Sequence, residues 1–443
     1  ITSSPAIRPA QSIAKLPEKE VPMPGPLHEI KVVEFTEIIA GPLAGMLLAD
    51  MGAEVIKIEP PWGEPWRFVQ AFSDTESRPF IAYNRGKRSL PLDLTAAEAP
   101  DILRRLIPQT DVALVNYRPD VAAKLGVDYE TLSALNPRLV YCENTAFGRQ
   151  GPEAHRPGYD LIIQAMYGLM AAEGKLDNGV PQHIWSSPLV DTAAGFGMAW
   201  CICGALFARE RTGRGQKVET TLMGMALALL GMRFVQVEGL DRPAQAQTLA
   251  DLAALRAANT PFPEVLQIYE ANYPLSPGNI YYRTYQTQDG AIGVGCLSDP
   301  LRRKLLEVLG LQDIRFNAGY DPRSAEAVEF GGKLMQQAEV KFRERTTAHW
   351  LTSLEQQGIP AGPVRFVEEL FDDPQVQANG LVAELEHREA GKLRMVGPLA
   401  QFSETPLHTN PPPALGQHTD EVLQELGFSD AEIRRWRESG VVG

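Results

Sequence analysis

Cysteine is scarce: the 443 residues hold four, Cys142, Cys201, Cys203 and Cys296. They are scattered, too few for a disulfide framework and without the C-x-x-C spacing of a zinc site, so a reducing, cytoplasmic setting is expected. Positive charge is also in deficit, with 42 Lys+Arg against 55 Asp+Glu for a net charge of −13. Extended binding to nucleic acid or an anionic membrane needs a net or clustered positive surface, so both are disfavoured, and an anionic ligand needs a local basic pocket. The longest uncharged apolar run, residues 193–208, falls short of the roughly 20 residues of a membrane span and reads as a buried core helix. The first 26 residues carry no apolar stretch of the secretory-signal kind. The motifs H-E-x-x-H, G-x-S-x-G and G-x-G-x-x-G are missing and the seven histidines are dispersed, so no metal site, serine-hydrolase elbow or dinucleotide fingerprint is expected.

What is present is an ordinary globular composition, 44% apolar and 22% charged, long enough for two or three domains. Pro5, Pro9, Pro17, Pro22, Pro24 and Pro26 deny residues 1–26 helix interiors and sheet ladders, which makes them an arm. From residue 27 the pattern changes. Strand (30–35), helix (42–52) and strand (53–59) form a β-α-β unit, and the rhythm continues with a helix at 95–107 and strands at 111–117 and 138–146. Such alternation predicts an α/β fold: a large domain over 27–242 built on a doubly wound, Rossmann-like parallel sheet. Long helices are expected at 160–173 and 191–211, followed by a strand and helix from RTGRGQKVETTL. Beyond residue 242 a hairpin around Gln288-Asp289-Gly290 and amphipathic helices near 300–310 and 335–357 predict a linker and smaller α+β domain over 243–385. Residues 386–443 read as a terminal segment docked back on the large domain.

Few residues suggest chemistry on their own. The first βα turn, FTEIIAGPLAG, either packs closely or offers the amides of a helix start to a phosphate or carboxylate. Basic residues gather at Arg85, Lys87 and Arg88, at Arg104-Arg105, and at Arg118 and Lys124; they either hold an anionic ligand or form ion pairs on solvated faces. Asp191 precedes an apolar helix, a position that suits an N-cap and equally a carboxylate nucleophile. Cys201 and Cys203, two apart on that helix, point to different faces and belong to the core.

Taken in order, LHEIKVVEF, AGPLAGMLLADMGAEVIKIE, NRGKRSLPLDL, DVALVNYRPDVAAKLGV, LNPRLVYC, PLVDTAAG, RTGRGQKVE and PALGQHTDEVLQELGFS resemble the family III CoA-transferases, the formyl-CoA transferase and carnitine CoA-transferase group. The resemblance runs from about residue 27 to the end and is densest between 27 and 220. It implies that Asp191 is the nucleophile, with capping as a compatible second role. The implied chemistry passes through a mixed anhydride and an aspartyl-CoA thioester, with coenzyme A thioesters as substrates and no permanently bound cofactor. The resemblance places CoA contacts at Ile38 and Ile39, at Leu92 and Thr95, at Asn116, Tyr117 and Arg118, at Lys124 and Leu125, and at Arg156 and Tyr159. Lys124 and Arg156 suit the phosphates. An interlocked homodimer is implied, each chain threading the opening between the other's domains; a heteromer with a related chain would look the same.

There are departures from the formyl-CoA transferases: Ile39 stands where they have a Gln, and Pro277-Gly278-Asn279 replaces a run of four glycines, which argues against oxalate and formate. The chain looks most similar to members that use succinyl-CoA and small dicarboxylic acids such as malate, citramalate, mesaconate or itaconate. A second substrate carboxylate calls for a cation; Arg67, Arg85, His183 and Arg283 are the candidates. Two alternatives follow from the same blocks. An α-methylacyl-CoA racemase would need a His where Tyr159 stands, and a phenol of ordinary pKa near 10 is a poor general base. A non-catalytic CoA-binding subunit would have no need of Asp191.

Overall fold

Val32 and Val33 point to opposite faces of strand β1 (Lys31–Phe35), and both are buried, as a parallel sheet covered by helices on each side requires. In this computed structural model, which describes residues 23–272, 279–317, 319–320 and 325–443, β1 is joined by β2 (Glu54–Glu59), β3 (Lys87–Pro91), β4 (Val112–Val115) and β5 (Val140–Thr145). A sixth strand, Gln216–Thr221, pairs with β5, giving the order β3-β2-β1-β4-β5-sixth with every pairing parallel. Residues 1–22 of the expected arm, and Pro277 and Gly278, lie outside the described residues.

Each sheet face has its own apolar core. Val32, Val55, Leu114 and Cys142 meet the first helix (Ala40–Asp50) and the long helix Leu189–Thr212 through Ala44, Leu48, Met198 and Ile202. Val33, Phe35, Ile58 and Val115 meet Ile102 and Leu106 of helix Ala99–Leu106, together with Val422, Ile433 and Trp436 of the two last helices. The first and long helices cross at Gly195, where an added Cβ would lie 2.8 Å from the side chain of Leu43.

The expected basic cluster at 85–88 turns out to be structural. Lys87 begins a strand that the charge pattern conceals, and its ammonium lies 2.8 Å from Glu34. Lys57 bridges Glu34 at 2.9 Å and Glu64 at 3.0 Å, while Arg67 holds Glu59 at 2.8 Å and Glu76 at 2.7 Å, all of them out of solvent. Arg85 is equally buried against Asp50. Arg88 pairs with Glu54, Glu421 and Glu425, and Arg105 lies over the ring of Phe428. Lys57, Arg67, Arg85 and Lys87 thus neutralise buried carboxylates and are not open to a ligand, whereas Arg105 is exposed and donates to the carbonyls of Leu426 and Gly427.

The described residues divide into two compact units, one from the stretches 23–160, 187–225 and 383–443, the other from the stretches 161–186 and 226–382. The limits differ from those expected at two places: the middle stretch of the first unit ends at Met225 rather than at residue 242, and residues 161–186 fall in the second unit. Local periodicity reports that a segment is helical and does not report which core receives it. The expected single helix at 160–173 is two, Asp160–Met166 and Leu169–Glu173, broken at Gly168, which sits in the left-handed region at φ 83°. In the second unit, strands Tyr282–Gln286 and Ala291–Gly295 form the expected hairpin, with Ala361–Pro363 pairing on its other side. Tyr285, Phe342 and Trp350 stack in its core.

Candidate active site

Strand order turns back between β1 and β4, and in sheets of this kind ligands bind outside the carboxyl ends of the strands at that point. A cavity of 510 Å³ opens there. Every strand of the sheet ends on it: Glu37 to Ala40 follow β1, Pro60 to Trp62 follow β2, Leu92 to Thr95 follow β3, Asn116 to Arg118 follow β4, Thr145 and Ala146 end β5, and Leu222 follows the sixth strand. Asp191 completes the wall.

Asp191 lies in the first turn of the long helix, which begins at Leu189, two residues earlier than expected, so it is not the N-cap. The capping falls to Asp160, whose Oδ1 accepts the N–H groups of Val190 at 2.7 Å and Asp191 at 3.2 Å. No donor among the described residues lies within hydrogen-bonding distance of the Asp191 carboxylate. Burial, and then the charge of Asp160, push that carboxyl up to about 7. The amides of the helix start therefore do not hold the Asp191 carboxylate ionised, because Asp160 has taken them. What remains is a half-buried carboxylate whose oxygens are free to attack.

The turn after β1 is strained and latched. Ile38 has φ 73°, a left-handed conformation that costs a β-branched residue about 1–2 kcal/mol. Two side chains hold it there: Glu64 Oε2 accepts the Ile38 N–H at 2.7 Å, and Asn116 Oδ1 accepts the Glu37 N–H at 2.9 Å while its Nδ2 donates to the Glu37 carbonyl at 2.8 Å. Asn116 thus shapes the wall by holding the turn. Glu37 lines the cavity, and burial and then Glu64 raise its carboxyl above the ordinary value, with Lys57 opposing.

Of the residues matched by resemblance, Ile38, Ile39, Leu92, Thr95, Asn116, Tyr117, Arg118, Leu125 and Tyr159 line this one cavity with Asp191. Lys124 and Arg156 do not; Lys124 is exposed at the end of helix Pro119–Lys124, and Arg156 is exposed and paired with Glu153. Among the described lining residues Arg118 is the single cation, half exposed and bonded to Asp120 at 2.7 Å. Arg67 and Arg85 are ruled out as partners for a substrate carboxylate, because each is fully buried and already neutralised. Arg283 is paired with Glu339 at 2.8 Å, and His183 is exposed in the second unit. Sequence reasoning missed Glu37, Asp160 and Trp62. The last is 68% exposed on the cavity rim, and its signal was an aromatic in the turn-rich PPWGEPW.

Residues 27–419 match CoA-transferase family III. The chain belongs to that family. Its relatives include a succinate–glutarate CoA-transferase of Agrobacterium fabrum, 34% identical over 90% of this chain and 96% of that protein, and the human succinyl-CoA:glutarate CoA-transferase, 31% identical over 94% and 90%. Among solved structures, Rv3272 of Mycobacterium tuberculosis superposes with a TM-score of 0.69 at 28% identity, covering 90% of this chain and 99% of that one. A CAIB/BAIF family protein of Brucella suis gives 0.70 at 28% identity, over 91% and 100%. A family III CoA-transferase acts on CoA thioesters, and the cavity carries the free carboxylate that such an exchange can use.

Proposed function

We propose that this CoA-transferase moves CoA from succinyl-CoA to a small dicarboxylic acid, with Asp191 as the covalent carrier. The observation that carries the reading is the unpartnered Asp191 carboxylate in a cavity built by the carboxyl ends of all six strands. The relatives named for succinate and glutarate support a dicarboxylate pair; malate, citramalate, mesaconate and itaconate belong to the proposal as further acceptors of the same class.

The bonds balance without an external energy source. An Asp191 oxygen attacks the thioester carbon, the C–S bond breaks, and CoA leaves as thiolate from a mixed anhydride. The thiolate attacks the Asp191 acyl carbon and expels the donor acid, leaving an aspartyl-CoA thioester. The acceptor carboxylate attacks that thioester and releases the thiolate, which takes the acceptor acyl group and frees Asp191. Each step exchanges one activated acyl bond for another, so the protein's part is to position the groups and hold the thiolate close. A second copy of the chain is part of the proposal: Phe196, Trp200 and Phe207 on the long helix are 45%, 76% and 61% exposed, an apolar row that a partner would cover.

The test incubates wild type and Asp191→Ala with succinyl-CoA and a panel of mono- and dicarboxylic acids, glutarate included, in D₂O, and follows products by mass spectrometry. New thioesters from wild type alone, confined to diacids, are expected. Thioesters from the variant would overturn the role of Asp191, and equal use of monoacids would overturn the substrate class. Light scattering that gives a monomer mass would remove the partner copy.

A further inference from the structure

Among the described residues, two carboxyl groups of the cavity have no hydrogen-bond or ion-pair partner, and the proposed exchange uses one. The other belongs to Glu37. Its backbone is fixed on both sides by Asn116, yet no donor among the described residues lies within hydrogen-bonding or ion-pairing distance of its side-chain oxygens. Its surroundings favour a neutral group: Glu64 and Glu59 approach from the loop after β2 and its last residue, Tyr117 from the end of β4, and Asp191 shares the cavity. Lys57 is the cation in electrostatic reach, but it is taken up by Glu34 and Glu64. The other cation, Arg118, is bonded to Asp120. A ligand bearing phosphates brings more negative charge and strips the water that an ionised Glu37 would need.

We propose that Glu37 contacts the bound acyl-CoA directly as a neutral carboxylic acid, donating its proton in a hydrogen bond to a carbonyl oxygen of the ligand, so that binding takes up a proton whenever Glu37 is ionised in the free protein. The amide carbonyls of the pantetheine arm and the thioester carbonyl are acceptors of this class. The inference rests on the assignment of the cavity to acyl-CoA.

The test uses free CoA, which cannot react, and Asp191→Asn as the parent, which removes the titration of Asp191. Calorimetry in two buffers of different protonation enthalpy, from about pH 5.5 to 9, counts protons taken up on binding. The parent is expected to take up close to one proton more than Asp191→Asn/Glu37→Gln at the alkaline end. Its affinity is expected to fall about tenfold per pH unit there, while the Gln variant, a neutral donor at every pH, keeps its affinity apart from the titration of CoA itself. Equal proton counts in the two proteins overturn the proposal. So does a folded Gln variant that binds more than about a hundredfold more weakly at every pH, because the carboxylate rather than the acid would then be required. Should the double variant not fold, the parent alone decides: proton uptake no greater than CoA's own titration accounts for overturns the proposal. A folded parent that binds no CoA removes the acyl-CoA site, and this inference with it.

Discussion

Asp160 caps the helix that carries Asp191: one of its oxygens accepts the N–H of Val190 at 2.7 Å and that of Asp191 at 3.2 Å. It does two separable things, capping the helix and raising the proton affinity of Asp191. Asp160→Asn keeps an acceptor and removes the charge, so the pH at which activity reaches half its plateau is expected to move to lower values with little loss of stability. Asp160→Ala also removes the cap and is expected to cost about 1 kcal/mol more in denaturant unfolding. An unchanged pH profile in Asp160→Asn would contradict the electrostatic half of this account.

Asp191 itself couples activity and stability to pH in opposite senses. On the proposed mechanism the attacking form is the carboxylate, so the rate at low substrate is expected to rise about tenfold per pH unit and level off above about 7. The folded state binds this proton more tightly than the unfolded chain, where the ordinary value is 3.8. Its contribution to stability is therefore complete below about pH 4 and is lost as pH rises through about 7. Asp191→Asn, which cannot ionise, is expected to gain in melting temperature relative to wild type across that interval; melting curves that stay parallel at every pH would contradict it.

The turn at Ile38 links strain to the buried network through Glu64. Glu64→Ala leaves the Ile38 N–H without its acceptor and takes from the buried Lys57 ammonium one of its two carboxylates, and a loss of about 3 kcal/mol is expected. In an Ile38→Gly background, where the left-handed turn no longer needs to be enforced, the same substitution is expected to cost about 1 kcal/mol less. Strict additivity in the double-mutant cycle would show that Glu64 does not hold the turn.

Arg85 and Asp50 test whether the cluster near residue 85 is structural. The guanidinium donates to both Asp50 oxygens, at 2.9 and 2.6 Å, and to the carbonyls of Val396 and Gly397. Arg85→Met strands a buried carboxylate, and about 3–5 kcal/mol of destabilisation is expected, much of it recovered by adding Asp50→Leu. A stable Arg85→Met protein with impaired CoA binding would return the cluster to the ligand.

The parallel sheet was legible because buried strands and amphipathic helices carry different periods, and the observed β1, β2, β4 and β5 end within two residues of the runs that announced them. β3 was hidden because Lys87 and Arg88 read as surface charge; the carboxylates that allow their burial, Glu34 and Glu54, are far off in the chain. Asp191 and most of the cavity wall could be read from blocks resembling a family. Glu37 could not, because its significance is an absence of partners, which only the arrangement in space displays. Asp160 announced its own helix and gave no sign that it caps another.

The large unit is assembled from three stretches of chain, and the last supplies part of the cavity wall's support: Val442 pairs with Leu92, the Asp93 N–H donates to Val441, and the Gly443 N–H donates to Pro91. During synthesis the strands that end on the cavity emerge more than two hundred residues ahead of the segment that braces β3. The nascent chain therefore passes through the whole second unit with an incomplete first one, a long exposure of the kind that invites chaperones. The contacts that brace β3 can form only after residues 226–382 have been made, so a chain cut between residues 225 and 441 carries Asp191 and lacks the support of that wall.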